Sequence, residues 1–593
     1  MIRTPLRPLA RILDAREKGE NPDAIERENI RIRHEQMRDQ ARQRAEGRLL
    51  VLGMFFVVAF CVVGLRMGML ATSEPTEPRV DAPGAKIHAA RADIIDRHGN
   101  LLATNFETHA LYAQPPLMVD PVHAAEELAK VFPDLEPDEL LEDFTGKRKF
   151  LWIKRKISPE QMQAVHEIGD PGLLFAARDM RLYPNGKLAA HVLGGASFGK
   201  EGVNAAEVIG VAGVEKYFDD YLRDPANGAN PLQLSLDLTV QAAAERVLYG
   251  GMKLMNAKGA TSILMDAHTG EVISVVSLPT FDPNKRPRPA TSGDASDSPL
   301  FNRSVQGVYE LGSTFKIFTV AQAMDLGLVN PETLIDTKGP LRWGKHRIRD
   351  FRNYGDEMSV TKVIVKSSNI GTARVAQAIG VERQRAFLDQ LGMLEPTGFE
   401  IVEAATGRPL LPPNWSELST MTISYGHGLS TSPMHLAAGY AAIANGGYKV
   451  QPTILKRSTT QKGERVFSET ASAASRKMLR KVVTEGTASF GEVKGYAVAG
   501  KTGTADKPKR RGGYYDDKVI ATFASIFPAD DPKYVLIVTL DEPVDTTGDE
   551  PRRTAGWTAV PVAAEMIRRV APLLGLRPTV EPVPLDDIKL TSN

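Results

Sequence analysis

The sequence predicts an α/β (α+β) protein that is attached to a membrane by a single helix near its N-terminus. Three observations lead to this fold class. An apolar run occupies residues 49–71, strand-like pairs open and close the C-terminal half of the chain, and helical periodicity fills the space between those pairs. Strands at both ends of a domain with helices between them favour one antiparallel sheet covered by helices.

Length and composition limit the possible classes of protein. A chain of 593 residues is too long for one core, so two to four structural units are expected. The formal net charge of +1 argues against nucleic acid as a partner. The single cysteine, Cys61, excludes an intrachain disulfide framework and any site built from several thiolates. No phosphate loop, dinucleotide fingerprint or H-E-x-x-H motif occurs in the sequence, so neither a cofactor nor a metal is predicted.

The apolar run at 49–71 is predicted to span the membrane. About 20 residues suffice to cross the hydrocarbon core, and the side chain of Arg66 can reach the headgroups. The flank before the run is rich in arginine, whereas the flank after it carries Glu74, Glu77 and Asp81. This asymmetry predicts a cytoplasmic N-terminus. A buried core helix and a cleaved signal peptide are the alternatives, and the missing polar stripe and the 48 polar residues ahead of the run disfavour them.

Composition divides the chain into five predicted segments. They are a cytoplasmic tail or solvated juxtamembrane helix (1–48), the transmembrane helix (49–71), a first extracytoplasmic domain (72–245), a second domain (246–575) and a loose C-terminal tail (576–593). A proline-bearing linker at 73–84 opens the third segment, and prolines mark the tail.

The first extracytoplasmic domain is predicted to mix strands and helices. Residues 90–105 (ARADIIDRHGNLLATN) indicate two strands, because an Asp-Arg-His-Gly-Asn turn separates two apolar stretches. Amphipathic spacing predicts helices from Pro121 to Phe132 and from Pro159 to Ile168.

The second domain is predicted to begin and end with strand pairs. Residues 261–279 alternate around an Asp-Ala-His-Thr-Gly turn, and residues 519–543 form two strand-like stretches around a Pro-Ala-Asp-Asp-Pro turn. Between them, helical spacing predicts helices that include Ile370 to Ile379 and Met434 to Asn445.

Three short motifs follow one another in this domain. They are Ser313-Thr314-Phe315-Lys316, Ser367-Ser368-Asn369 and Lys501-Thr502-Gly503-Thr504. The pattern S-x-x-K alone has little weight, since it recurs by chance at Ser197 and at Ser359. Three motifs in this order are far less expected by chance.

The surroundings of Ser313 distinguish it from the two chance copies. It follows a glycine and opens an apolar helical run, which places Lys316 one turn further along the same face. An unactivated serine is a weak nucleophile and needs an adjacent base, and a lysine can act as that base only when neutral. Burial or a second cation produces that state, and Lys501 is the candidate for the second cation. The sequence around Lys501 predicts a strand edge whose small residues admit a substrate backbone.

The ordered motifs resemble those of penicillin-binding proteins and serine β-lactamases. Further segments extend the resemblance to class B penicillin-binding proteins over most of the extracytoplasmic chain. These are RADIIDRHG, RLYPNGKLAAHVLG and GVEKYFDDYL in the first domain, and SLPTFDPN, FNRSV, RNYG and SYGHGLSTSPMHLA in the second. Ala92 and Leu311 depart from the family pattern, which commonly has glycine and proline there. Within class B the chain is most similar to the septal cell-division type, the FtsI type, and the elongation type is the alternative.

The resemblance implies an elongated non-catalytic pedestal domain followed by a transpeptidase domain with an antiparallel sheet flanked by helices. It implies a peptidoglycan D,D-transpeptidase that crosslinks stem peptides at the septum and is inhibited covalently by β-lactams. The implied partners are stem peptides, β-lactams, a SEDS-family glycosyltransferase of the FtsW type and other divisome membrane proteins. The implied location is the bacterial inner membrane, with the catalytic domain in the periplasm and enrichment at the division site.

The resemblance also implies roles for the motif residues. Ser313 attacks the carbonyl between two terminal D-alanines, Lys316 accepts its proton, and Ser367 relays a proton toward the leaving amine. Asn369 holds the substrate amide and Lys316. The terminal carboxylate is bound at Lys501, Thr502, Gly503 and Thr504, and the backbone N–H groups of Ser313 and Thr504 form the oxyanion hole. A β-lactam sensor or hydrolase, a scaffold with a decayed site and a bifunctional polymerase are the less favoured alternatives.

Overall fold

A computed structural model describes residues 7–19, 21–72, 91–201, 206–227, 230–457, 462–509 and 512–579. The linker predicted at 73–84 lies outside the described residues, as does the predicted C-terminal tail after residue 579. The chain divides into two compact units, residues 1–77 and 78–593.

The N-terminal unit consists of two helices, α1 (Arg7–Glu17) and α2 (Pro22–Thr72). Within α2, the stretch Glu46–Met69 is long and apolar enough to cross a membrane, and none of it is buried inside the unit. It is the one helix of this kind in the described part of the chain. The structure therefore has a helix at 49–71, and the described residues before it are helical over Arg7–Glu17 and from Pro22 onward.

The second unit begins with a region of mixed strands and helices. Its strands are β1 (Ile94–Ile95), β2 (Leu101–Ala113), β3 (Leu151–Ile157), β4 (Leu173–Leu182), β5 (Gly195–Glu201), β6 (Ala206–Ala212) and β7 (Leu232–Gln233). Its helices are α3 (Pro121–Val131), α4 (Pro137–Thr145), α5 (Pro159–Ile168), α6 (Ala190–Leu193), α7 (Gly213–Tyr217) and α8 (Asp219–Arg223). The predicted strand pair at 90–105 is present as β1 and β2, and both predicted helices are present as α3 and α5.

A buried cluster of charges lies in this region. Glu215 in α7 accepts hydrogen bonds from Arg91 Nε and Arg181 Nε, both at 2.7 Å, and its side chain is fully buried. A buried carboxylate is tolerated only when it is paired and hydrogen-bonded, as it is here.

The remainder of the second unit contains a second five-stranded sheet and most of the helices of this unit. Its strands are β8 (Gly259–Asp266), β9 (Val272–Leu278), β10 (Leu334–Asp336), β11 (Leu341–Trp343), β12 (His346–Ile348), β13 (Glu357–Ser359), β14 (Ala499–Pro508), β15 (Tyr514–Phe527) and β16 (Tyr534–Asp541). Its helices are α9 (Leu238–Leu254), α10 (Lys316–Asp325), α11 (Val360–Lys366), α12 (Asn369–Ile379), α13 (Val381–Gln390), α14 (Glu417–Ile423), α15 (Pro433–Ala444), α16 (Glu469–Glu485) and α17 (Ala559–Leu573).

This five-stranded sheet has the order β14-β15-β16-β8-β9, and every neighbouring pair is antiparallel. The first and last predicted strand pairs of the domain therefore meet in one sheet, as the sequence pattern indicated. The main hydrophobic core joins this sheet to the helices that pack on it. Strand β14, which carries the third motif, lies at the edge of the sheet.

Candidate active site

The nucleophile candidate lies in a short turn rather than in the α-helix itself. Residues Gly312–Phe315 form one turn of 3-10 helix, and α10 begins at Lys316. Gly312 has φ +57°, a conformation that favours glycine, and a Cβ added there would lie 2.9 Å from the carbonyl oxygen of Thr504. The predicted helix start at Ser313 is thus correct to within one tight turn.

A second glycine brings the edge strand against this turn. A Cβ added at Gly503 would lie 2.2 Å from the carbonyl oxygen of Leu311 and 2.8 Å from the side chain of Thr314. Only glycine permits this approach, because Cβ contacts shorter than 3.0 Å essentially never occur. The K-T-G motif and the S-x-x-K motif therefore contact each other through their backbones.

The base candidate, Lys316, is fully buried, and its amine contacts the second motif. Lys316 Nζ donates to the carbonyl oxygen of Ser367 at 2.5 Å and to its hydroxyl oxygen at 3.1 Å. Burial holds the pKa of Lys316 well below its usual range, the neighbouring charge of Lys501 lowers it further, and Asp350 opposes the shift. These are the two causes that can make a lysine neutral enough to accept a proton.

Lys501 is also fully buried and reaches the same serine. Its Nζ lies 2.9 Å from Ser367 Oγ and 3.3 Å from its neighbour's carbonyl oxygen, that of Thr502. Burial lowers the pKa of Lys501 to about 7. The hydroxyl of Ser367 thus lies within hydrogen-bond distance of two lysine amines from two other motifs.

The position of Ser367 depends on an uncommon backbone conformation. It lies between α11 and α12 with φ +63°, in the left-handed region. For a residue with a Cβ this conformation costs about 1–2 kcal/mol. This conformation reverses the chain direction and points both the hydroxyl and the carbonyl of Ser367 at Lys316. The backbone strain at Ser367 therefore lies within the candidate active site.

Asp350 stabilises this reversal of the chain through hydrogen bonds. The sequence analysis did not identify it as a site residue. Its carboxylate accepts hydrogen bonds from Ser368 Oγ and from the backbone N–H of Asn369, both at 2.6 Å, and from the N–H of Ile370 at 3.0 Å. A carboxylate at the N-terminus of α12 is favoured by the helix dipole. No local signal marks Asp350, because its partners lie almost 20 residues away; it directly precedes the FRNYG segment.

Asn369, Thr502 and Thr504 line the same cleft, and each has a side-chain polar atom in a hydrogen bond with the surrounding protein. Asn369 Nδ2 donates to the carbonyl oxygen of Arg349 at 3.0 Å, and among the described contacts Lys316 Nζ does not reach it. Thr502 Oγ1 lies 2.7 Å from Thr487 Oγ1. Thr504 Oγ1 accepts from the backbone N–H of Ala555 at 3.0 Å. The predicted contact between Asn369 and Lys316 is therefore not part of this arrangement.

The cleft that contains Ser313 has a volume of about 400 Å³. Its walls combine motif residues with an aromatic rim that the sequence did not indicate. The lining residues are Ser313, Phe351, Tyr354, Lys366, Ser367, Asn369, Thr487, Ser489, Phe490, Thr502, Thr504, Thr554, Gly556 and Trp557. A larger groove of about 860 Å³ between α9 and α17 contains none of the three motifs.

The two chance copies of S-x-x-K lie in other settings. Ser197 belongs to β5, and Ser359 caps α11 by accepting a hydrogen bond from the N–H of Lys362. Among the residues that the structure describes, no group of three or more His, Cys, Asp or Glu side chains could hold a metal ion.

Comparisons with known proteins match both parts of the second unit. The family model described as Penicillin binding protein transpeptidase domain matches residues 260–566, and the model described as Penicillin-binding Protein dimerisation domain matches residues 86–230.

Several curated proteins are similar over most of their length. The probable peptidoglycan D,D-transpeptidase FtsI of Caulobacter vibrioides is 33% identical over 572 residues, which cover 93% of each chain. The peptidoglycan D,D-transpeptidase FtsI of Escherichia coli K12 is 28% identical over 77% of this chain and 80% of that protein. Stage V sporulation protein D of Bacillus subtilis is 28% identical over 90% of this chain and 86% of that protein.

Proposed function

This chain belongs to the class B penicillin-binding proteins, and on that premise we propose that it crosslinks peptidoglycan as a serine D,D-transpeptidase whose acyl-enzyme forms on Ser313. One observation supports the proposal above the others. The hydroxyl of Ser367 lies 3.1 Å from Lys316 Nζ and 2.9 Å from Lys501 Nζ, in the wall of the cleft that contains Ser313.

Acylation begins with attack by Ser313 Oγ on the carbonyl between the two terminal D-alanines of a stem peptide. Lys316 takes the proton of the hydroxyl, because burial and the charge of Lys501 favour its neutral form. Ser367 connects the two lysines and passes a proton to the leaving amine, so that D-alanine departs as the neutral amine.

The substrate is held on the β14 side of the cleft. Lys501 with the hydroxyls of Thr502 and Thr504 suits the terminal carboxylate, and Gly503 lets the strand approach the nucleophile turn. The backbone N–H groups of Ser313 and Thr504 are the proposed oxyanion hole. Asn369 is assigned to the substrate amide.

The acyl-enzyme is expected to persist until an amine arrives. Class A β-lactamases hydrolyse theirs through a water positioned by a dedicated glutamate. Within the described residues, no aspartate or glutamate lines the cleft. Transfer to the side-chain amine of a second stem peptide is therefore favoured over hydrolysis, which argues against a sensor or hydrolase on the same fold.

The cellular setting follows from the anchor and the family. We assign the chain to the inner membrane as a single-pass protein with its catalytic domain in the periplasm, enriched at the division site. A SEDS-family polymerase of the FtsW type and other divisome proteins are the proposed partners, and an elongation role is the alternative. The predicted boundary at 245/246 also remains a proposal, and it falls within helix α9.

Labelling with a fluorescent penicillin tests the proposal. The full chain in detergent should form a covalent adduct that lasts for many minutes, and Ser313→Ala should abolish it. Ser197→Ala, which changes the chance copy of the motif, is the matched control and should still be labelled. Mass spectrometry of the digested adduct should locate it on the peptide with Ser313. Adduct formation in Ser313→Ala, or rapid turnover of penicillin, would refute the assignment.

A further inference from the structure

A segment beside the cleft carries a dense positive charge. Between residues 342 and 352 the chain has five arginine or lysine side chains and one carboxylate, Asp350. The five cationic residues, here called the arginine cluster, are Arg342, Lys345, Arg347, Arg349 and Arg352, and all are exposed. Across the described ranges of the chain, no carboxylate forms an ion pair with any of them. Asp350 is already engaged at the start of α12.

The strand register places two of these charges face to face. Arg342 is directly opposite Arg347 in the antiparallel pair β11–β12. Like charges at directly opposed positions destabilise a strand pair. The adjacent pair, Leu341 and Ile348, is buried in a small core with Ile370 of α12. Because side chains alternate along a strand, the two arginines lie on the face turned away from that core.

The cluster borders the active-site cleft. The carbonyl oxygen of Arg349 accepts a hydrogen bond from Asn369, which lines the cleft. Phe351 of this segment and Tyr354, two residues beyond its end, also line the cleft, as does the exposed Lys366. The backbone of the cluster therefore lies beside the S-x-N motif, at the rim of the cleft, and none of the five cationic residues lines the cleft itself. Thr502 and Thr504 contribute to the lining from β14.

We propose that the arginine cluster binds a carboxylate of the acceptor peptide, an inference that rests on the transpeptidase function proposed above. Donor and acceptor each bring a C-terminal carboxylate. The donor's is assigned to Lys501 and the hydroxyls beside it, so the acceptor's needs other cations. Guanidinium groups suit it, because they donate two parallel hydrogen bonds to one carboxylate.

The same charges favour the chemistry of the acceptor amine. Attack on the acyl-enzyme requires the neutral amine, and a nearby positive charge disfavours the protonated form. Among the described residues, no carboxylate neutralises the cluster through a direct ion pair. The cluster would thus hold the acceptor's carboxylate while promoting the reactive state of its amine.

Direct binding tests this assignment without requiring turnover. The full chain in detergent is first acylated to completion with benzylpenicillin, which closes the donor side. A fluorescent peptide with a lysine amine and a C-terminal D-alanine is then titrated by anisotropy, next to the same peptide with all carboxylates converted to carboxamides. The double variant Arg342→Gln/Arg347→Gln removes the opposed pair, and Arg342→Lys/Arg347→Lys keeps the charge. Lys477→Gln/Lys481→Gln, at exposed positions on α16 that do not line the cleft, removes two charges elsewhere.

The wild-type chain should prefer the carboxylate peptide by about tenfold, since each exposed charge contact contributes a few-fold in affinity. The preference should disappear in the glutamine variant and weaken with salt. It should persist in part in the lysine variant, which keeps the charge but not the paired hydrogen bonds, and in full in the α16 control. Equal affinity of the wild type for both peptides, or a preference that survives in the glutamine variant, would overturn the proposal. A surviving preference together with lost binding to phosphatidylglycerol vesicles would assign the arginines to a lipid surface instead. Failure of penicillin to acylate the wild type would refute the transpeptidase function itself, and the same titration on the unacylated chain would still test the cluster.

Discussion

Replacing Gly503 with alanine should separate the edge strand β14 from the turn that carries Ser313. The added Cβ would lie 2.2 Å from the carbonyl oxygen of Leu311, and contacts of this kind stay beyond 3.0 Å in real proteins. The strand and the turn must therefore move apart by about 0.8 Å or more. Neither neighbour of the added Cβ can move without a large cost in free energy, because one is the backbone of Leu311 and the other is the buried side chain of Thr314.

That displacement sets the expected size of the effect. A misplacement of about 1 Å in a catalytic arrangement costs on the order of 100-fold in rate. Lys501, Thr502 and the N–H of Thr504 lie on the strand that moves, while Ser313 lies on the other side of the gap. We therefore expect the rate constant for acylation by penicillin to fall about 100-fold, in keeping with that cost.

Stopped-flow measurement of acylation with a fluorescent penicillin would test this expectation, with thermal melting recorded in parallel. Gly250→Ala is the matched control, because an added Cβ meets nothing within 4 Å at that position in α9. It should leave acylation unchanged and raise stability slightly, since alanine favours a helix over glycine by about 1 kcal/mol. An acylation rate for Gly503→Ala within threefold of wild type would refute the argument that the close contact at Gly503 sets the distance between β14 and the turn that carries Ser313.

Three further predictions concern the base, its pH dependence and the buried charges of the first domain. Lys316→Arg should be nearly as damaging to acylation as Lys316→Ala, because a guanidinium stays protonated and cannot accept the proton; near-normal labelling would contradict the role of a base. Acylation should be lost as the pH falls through the lowered pKa of Lys316, because the protonated lysine cannot accept a proton. Asp350→Asn should shift this fall in the pH–rate profile to lower pH, because the charge of Asp350 raises the pKa of Lys316. A fall that stays at the same pH, or shifts to higher pH, would contradict this expectation. Glu215→Ala removes the carboxylate that Arg91 and Arg181 share, so that, among the described residues, Arg181 loses its ion-pair partner and Arg91 keeps only Asp219. This change should cost about 3–5 kcal/mol in unfolding free energy, whereas a melting temperature equal to that of the wild type would show that the cluster contributes nothing.

Much of the fold was predictable because its signals are local. Apolar stretches around turns at 261–279 and 519–543 predicted strand pairs that the structure confirms. The signal was strong because β8, β9 and β16 are buried along nearly their whole length, and short apolar runs bounded by turn residues are typical of buried strands. The helices at 121–132 and 159–168 begin after capping residues and end within one residue of the prediction for the same kind of reason. The apolar run at 49–71 needed only its length and composition.

The order and identity of the three motifs were likewise determined by the sequence alone, and they named a nucleophile, a base candidate and their partners. Only the tertiary structure decided how they meet. Ser367 is 51 residues from Lys316 and 134 from Lys501, yet its hydroxyl lies within hydrogen-bond distance of both amines. The burial that lowers both lysine pKa values is a property of the packed core, so no local pattern could reveal it. The same reason applies to Asp350, whose role depends on hydrogen bonds to residues 18 to 20 positions away. It applies equally to Arg342 and Arg347, which became an opposed pair of like charges only when the register of their hairpin placed them on one face.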